Sequence, residues 1–396
     1  MINKKSSQIF EDYQIGDLIG SGRFAEVFRA IKRDLQQDVA LKILLPVWYE
    51  NPTVRGQFMD QAKLIARLHH PRIVEALDLG EENGRLYMAM EYLPLGDLHQ
   101  WLQSQGKKRP SLLQVVALVE DVAAALDFIH SQKTQGEPLV HGDVKPGNIL
   151  LTEERESPGR LRAKLSDLGL LAVVQKAVTL SGSSTFPQSS PLYISPEQAN
   201  DQPPTPFSDQ YALGVVAYEL LTGQPPFSGA SDVTIYRQHK QTQPQPPSAL
   251  LPHLQHEIDE VLLKTLAKDP SNRYPNCASF SRALRQAVEI AEQKRFTSLM
   301  EEARTTLLDG QPEKALPALE EARQIKPDDD EIARLFEQTQ KITLAARNYY
   351  EATDLLENAR KEALELRKET PNYPDQQYLL AELAPKPEFI KILLAT

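Results

Sequence analysis

One cysteine, Cys277, stands in the whole chain, so no disulfide can form within it. A lone cysteine in a chain of ordinary composition reads as a small core residue in a reducing compartment. No apolar run reaches the roughly 18 to 20 residues that a membrane-spanning helix needs. The most apolar stretch, Tyr211 to Tyr218, is cut off by Glu219 and reads as a buried core helix. Met1-Ile2-Asn3-Lys4-Lys5 is not followed by the apolar core of a secretory leader. A basic excess is missing as well: 54 acidic residues face 44 basic ones, a net charge of −10. That balance argues against a nucleic-acid or anionic-membrane surface. The expectation is a cytoplasmic protein with no membrane span and no nucleic-acid partner.

The remaining composition, 41% hydrophobic and 25% charged over 396 residues, is that of a soluble globular chain of two or three domains. From about Tyr13 to Glu91 the pattern is mostly strand. Val27-Phe28-Arg29-Ala30 and Asp38-Val39-Ala40-Leu41-Lys42-Ile43 alternate with period two, interrupted by one helix near Val54 to Leu68. From Asp97 onward helical patterns dominate, over Leu112 to Ser131, Ser208 to Thr222, Glu257 to Ala267 and Ala278 to Glu292. Between them, Val178 to Pro206 is rich in Ser, Thr and Pro.

The chemistry is concentrated in His141-Gly142-Asp143-Val144-Lys145-Pro146-Gly147-Asn148, followed downstream by Asp167-Leu168-Gly169. An Asp, a Lys two residues on and an Asn five residues after the Asp can share one short loop. The set suits phosphoryl transfer: a carboxylate takes a hydroxyl proton, a cation meets the moving phosphoryl group, and an amide and a second carboxylate hold a metal ion. Upstream, Gly20-Ser21-Gly22-Arg23-Phe24-Ala25-Glu26-Val27 is a glycine-rich turn whose backbone amides can approach phosphates closely. Val39-Ala40-Leu41-Lys42 follows it with a lysine inside an apolar strand.

Together these motifs resemble a bacterial Hanks-type serine/threonine protein kinase. The resemblance implies an α+β, bilobal protein-kinase fold with a small β-rich N-lobe at 13–91 and a large helical C-lobe at 95–290. A tail at 1–12 precedes this 13–290 kinase domain, and an all-α helical-repeat region at 296–396 follows it. The implied cofactors are ATP and Mg²⁺ or Mn²⁺, and the implied partners are protein substrates. By the same resemblance Asp143 is the catalytic base, Lys145 meets the γ-phosphate, Lys42 holds the α- and β-phosphates, and Asn148 and Asp167 are the metal ligands. Ile19, Gly20, Ser21, Gly22, Val27, Ala40, Met90, Glu91 and Leu93 line the nucleotide site, with Met90-Glu91-Tyr92-Leu93 as gatekeeper and hinge. Lys145 in Asp-x-Lys-Pro-x-Asn resembles kinases that modify Ser or Thr rather than Tyr.

The chain departs from the family at two places. The helix glutamate that pairs with the strand lysine falls on Gln61, so a neutral Lys42–Gln61 contact is expected in its stead. The arginine that binds a phosphorylated activation loop is Gly142, which implies less dependence on loop phosphorylation. The activation segment is expected from Asp167 to Glu197, with Thr179, Ser181, Ser183, Ser184, Thr185, Ser189 and Ser190 as candidate phosphosites. Glu197 is expected to pair with Arg273. Asp209 is expected to cap backbone amides of the catalytic loop.

In the tail, Gly310-Gln311-Pro312-Glu313-Lys314-Ala315 with Ala322, Ile325 and Pro327 resembles the second half of a tetratricopeptide repeat, and Ala352 to Pro371 a degenerate second unit. Such a region can present a protein partner with a groove. Two other readings remain open. Gln61 and Gly142 suit a pseudokinase scaffold that works through its helical tail. His141-Gly142-Asp143 also suits a small-molecule phosphotransferase of the aminoglycoside or choline kinase type, though Lys145, Ser195-Pro196-Glu197 and Asp209 argue for a platform that takes protein substrates.

Overall fold

The protein was analysed as a computed structural model that describes residues 10–22, 25–46, 52–106, 109–134, 136–154, 157–168, 190–252 and 254–369. It divides into two compact units, Met1–Val288 and Glu289–Thr396.

The first unit opens with a five-stranded antiparallel sheet of β1 (Tyr13–Ser21), β2 (Ala25–Lys32), β3 (Gln37–Leu44), β4 (Ala76–Glu82) and β5 (Arg85–Glu91), in the spatial order β1-β2-β3-β5-β4. Asn83 and Gly84 both take positive φ, 50° and 75°, which is what the tight two-residue link from β4 to β5 requires. The period-two alternation of β3 sends its side chains to opposite faces. Val39, Leu41 and Ile43 join Phe10, Tyr13, Phe28 and Tyr87 in one core. Ala40 and Leu44 join Ala62, Met88 and Met90 in another. Lys42 stands on that second face, only 5% exposed. The intervening helix, α1 (Pro52–Ile65), ends three residues before the expected Leu68.

The helical part of this unit is built on two buried helices. Ahead of them lies α2 (Leu98–Gln105), capped by Asp97, which accepts the Gln100 N–H at 2.8 Å. Ser111 then caps α3 (Leu112–Ser131) through the Gln114 N–H. A short ribbon of β6 (Lys133–Thr134) and β7 (Glu137–Pro138) precedes the hairpin of β8 (Ile149–Glu154) and β9 (Ser157–Leu165). Beyond it, α4 (Pro196–Ala199) leads to α5 (Pro206–Thr222), which has a Thr205/Ser208 capping box, Pro206 in the first turn and Gly223 at φ 81° as its stop. Tyr211 to Tyr218 is buried throughout, as its composition required. At Gly214 a methyl group would lie 2.7 Å from Thr265 Cγ2, so glycine lets α5 approach α8 (His256–Thr265) closely. α6 (Asp232–Gln241) and α7 (Pro247–Leu250) complete the surround.

α9 spans Cys277–Leu308, well past the expected stop at Glu292. No Gly or Pro occurs between Cys277 and Gly310, so nothing in the backbone ends it earlier.

Within the second unit, Gly310 at φ 71° makes the turn and Pro312 opens α10 (Pro312–Ile325). Ala315 and Ala322 are fully buried among Leu299, Met300, Ala303, Leu319 and Ile332, the close small-residue packing the spacing predicted. The expected second helix pair at Ala352 to Pro371 is not formed among the described residues. One uninterrupted helix, α11 (Asp330–Glu369), runs through that stretch, because no Gly or Pro breaks it before Pro371. Its later turns leave Leu344 60% and Leu355 70% exposed.

Candidate active site

Lys42 is poised from β3 across the cleft. Its Nζ donates to Asp167 Oδ1 at 2.6 Å. The expected partner, Gln61, lies on α1, and its side chain is outside the described residues. Asp167 itself takes φ 62°, a left-handed conformation costly for a non-glycine residue and typical of functional positions. Burial pushes its carboxyl upward, but the Lys42 ammonium, with His141 and Lys145 behind it, outweighs that and holds it below the usual carboxylate range.

The loop from His141 to Asn148 is fixed by its own side chains. His141 is fully buried, and its Nε2 meets the Ser166 carbonyl at 2.8 Å, next to Asp167. Asp143 sits at the centre. Its Oδ2 accepts from Lys145 Nζ at 2.5 Å and from Asn148 Nδ2 at 3.1 Å. Asn148 Nδ2 also donates to the Asp143 carbonyl at 2.7 Å. From α5, buried Asp209 accepts the His141 N–H at 2.9 Å and the Gly142 N–H at 2.8 Å, with His130 Nε2 at 2.8 Å. This is the backbone cap expected of it. The Asp143–Lys145–Asn148 set and the Lys42–Asp167 pair are thus linked into one network through the His141 ring and the backbone of Ser166.

Beside that network is an apolar wall. Ala40 and Met90 are buried in a cluster to which Val27, Leu93 and Leu150 add partly buried surface. Leu150 was not singled out from the sequence. It sits in the apolar run Ile149-Leu150-Leu151 just after Asn148, where alternation along β8 was the available signal. Ile19 and Gly20 lie at the end of β1, and Ser21 and Gly22 at its exposed tip, where the Gly22 N–H donates to the Ala25 carbonyl at 3.0 Å. Glu91 is occupied: its N–H donates to the Glu75 carbonyl and its carboxylate takes Lys164 Nζ at 2.6 and 2.8 Å.

The central activation segment, residues 169–189, lies outside the described residues, and with it Thr179, Ser181, Ser183, Ser184, Thr185 and Ser189. Its C-terminal end is described and firmly held. Glu197 and Arg273 form a two-pronged ion pair at 2.9 Å on both arms, with the Arg273 side chain fully buried. Burial acts to raise the Glu197 carboxyl, but the Arg273 guanidinium and the Ser208 hydroxyl hold it below its ordinary range.

Another buried group gives this unit a pH signature. His239 is fully buried, with Nδ1 3.0 Å from the Tyr211 hydroxyl and its ring edge-on to Phe227. Burial, with Lys268 nearby, pushes its pKa down to about 3. The folded protein keeps it neutral while the unfolded chain takes up a proton below about pH 6.5. Stability therefore falls as pH drops from about 6.5 toward 3, by up to about 1.4 kcal/mol per pH unit from this group. Denaturant unfolding at pH 7.5, 6.0 and 5.0 checks this. The slope for His239→Gln should be shallower by one proton, whatever the variant's absolute stability.

A two-lobed fold, a strand lysine tied to the second acidic loop and a carboxylate–lysine–asparagine loop between the lobes define a phosphate-handling cleft of the kinase type. The protein kinase domain family matches residues 13–287. The chain belongs to that family. It is similar to the serine/threonine-protein kinase PknB of Mycobacterium tuberculosis, 35% identical over 280 residues, which are 69% of this chain and 42% of that protein. It is also similar to the serine/threonine-protein kinase PrkC of Bacillus subtilis, 31% identical over 339 residues, 85% of this chain and 48% of that one. The solved kinase domain of Mycobacterium tuberculosis PknI aligns with a TM-score of 0.56 at 29% identity, covering 72% of this chain and 98% of that one. The chain spans about half the length of the curated relatives it matches.

Proposed function

We propose that this chain is a serine/threonine protein kinase that transfers the γ-phosphoryl group of ATP to Ser or Thr hydroxyls of proteins, itself included. The observation that carries the reading is the connected network of Lys42, Asp143, Lys145, Asn148 and Asp167 beside an apolar wall. In it, Asp143 takes the proton of the incoming hydroxyl, and Lys145, 2.5 Å from it, neutralises charge that builds on the moving phosphoryl group. Lys42 holds the α- and β-phosphates. Val27, Ala40, Met90, Leu93 and Leu150 enclose the adenine, with the backbone from Glu91 to Leu93 supplying its polar edge. Ile19 and the Gly20-Ser21-Gly22 tip cover the nucleotide. The kinase domain is taken as 13–290.

The donor set fits a hard divalent cation. Asp167 offers carboxylate oxygen, and Asn148 spends its Nδ2 on Asp143, which turns its amide oxygen away as an acceptor. Asp167 and Asn148 would hold Mg²⁺ or Mn²⁺ there, and the ion would supply positive charge to offset that of the phosphates. The protein is assigned to the cytoplasm, where ATP is plentiful; among the described residues no helix is long and apolar enough to cross a membrane.

The helical unit from about residue 296 is assigned a tetratricopeptide-like role in holding a protein partner. The small-residue packing of Ala315 and Ala322 and the exposed apolar side chains along α11 support it. Lys42→Met tests the nucleotide assignment. Turnover should fall by about 10²–10³, the cost of removing one preorganised electrostatic donor, and the thermal stabilisation by Mg–ATP should shrink. Unchanged turnover would sink the role given to Lys42.

A further inference from the structure

We infer that Gln198 is a positioning residue for the transfer reaction, a neutral tether that fixes the peptide plane carrying Asp143 to the end of the activation segment. The inference rests on the phosphoryl-transfer reading above. It starts from Gly142, which has no side chain where related kinases carry a phosphate-binding arginine. Gly142 takes φ +80°, a conformation that a side chain would strain even though the nearest atom, Pro204 Cγ, lies 3.5 Å from a built Cβ. A glycine peptide can turn over at little steric cost, so the plane between Gly142 and Asp143 needs holding from outside.

Two contacts hold it directly, and a third fixes the plane before it, where the Gly142 N–H donates to Asp209 Oδ1 at 2.8 Å. The Asp143 N–H, at one end of the plane, donates to His141 Nδ1 at 3.2 Å. At the other end of the same plane, the Gly142 carbonyl accepts from Gln198 Nε2 at 3.0 Å. Gln198 is itself aimed. Its Oε1 accepts from the Ser195 N–H at 3.3 Å and the Ser195 hydroxyl at 3.0 Å, at a residue with no exposure at all. That capping box opens α4, which Glu197 ties to Arg273 and to the Ser208 hydroxyl at 2.7 Å. A line of contacts thus runs from Arg273 through α4 and Gln198 to the backbone of Asp143. Nothing along its last links is charged, so it needs no phosphate to form.

The test compares wild type, Gln198→Ala and Gln198→Glu in steady-state transfer across pH, in thermal melting, and in amide exchange over residues 139–149. For Gln198→Ala, kcat should fall about three- to tenfold, the worth of one neutral hydrogen bond. The KM for ATP should hold, and exchange at the Asp143 amide should rise. Gln198→Glu sets a carboxylate against the Gly142 carbonyl and should be slower still at neutral pH. Its rate relative to wild type should climb as the pH falls toward the carboxyl range, where a protonated Glu can donate again. A Gln198→Ala protein with wild-type kcat and exchange overturns the tether, as does a loss of melting temperature with kcat intact. Should wild type transfer no phosphate, the proposed function falls, and the exchange comparison alone decides the tether.

Discussion

Replacing Asp143 by Asn should lower phosphoryl transfer by about 10²–10⁴, the range that a positioned general base supplies. The substitution keeps the size of the side chain and an oxygen able to accept from Lys145 Nζ, so the loop can keep its form. What it removes is a group that can take a proton from the incoming hydroxyl. Asn148 Nδ2 also donates to the Asp143 side chain, the Asp143 backbone N–H donates to His141 Nδ1, and neither contact needs a negative charge to persist. Melting temperature and Mg–ATP binding should therefore stay near wild type while turnover collapses. Fluorescent nucleotide titration alongside single-turnover transfer separates the two. A variant that loses nucleotide binding in proportion to turnover would show Asp143 acting on the ground state, against the role proposed for it.

Glu197→Ala should be the most damaging single change to the stability of the first unit. Arg273 is fully buried and spends both arms on Glu197, with further bonds to the carbonyls of Phe207, Lys268 and Ala267. Removing the carboxylate strands a buried guanidinium that stacks over Tyr211, with the cation Lys268 as a neighbour. Loss of one partner of such a pair costs about 3–5 kcal/mol. In a unit of this size that is a drop in melting temperature of roughly 10 °C. Calorimetry checks it, and Glu197→Gln should recover part of the loss through neutral hydrogen bonds. A Glu197→Ala protein that melts within a degree of wild type would show that the pair contributes nothing beyond geometry.

The residues nearest the chemistry were legible because they are neighbours in the chain. Asp143, Lys145 and Asn148 share one loop, and no folding knowledge is needed to see that they can meet. Strand alternation was enough to bury Lys42. Its ion pair with Asp167, which lies far along the chain, was not legible in the same way, and the expected neutral contact with Gln61 falls on a side chain outside the described residues. Gln198 was missed because its contact to the Gly142 carbonyl is likewise a tertiary fact that leaves no local spacing, whereas Leu150 was missed although the alternation along β8 carried a signal for it. Glu197–Arg273 and Asp209 were readable only through the family resemblance. Helix ends failed where no breaker marks them, at Leu308 and beyond Ala352, and succeeded where Pro312 and Gly223 do.

The measurement closest to the central claim is transfer from radiolabelled ATP with Mg²⁺ or Mn²⁺, to the chain itself and to a generic basic protein, with phosphoamino-acid analysis of the products. Asp143→Asn is run beside it. The account predicts label on phosphoserine or phosphothreonine that disappears in the variant. No label above the variant, with nucleotide still bound, would contradict it and leave a nucleotide-binding scaffold whose helical unit does the work.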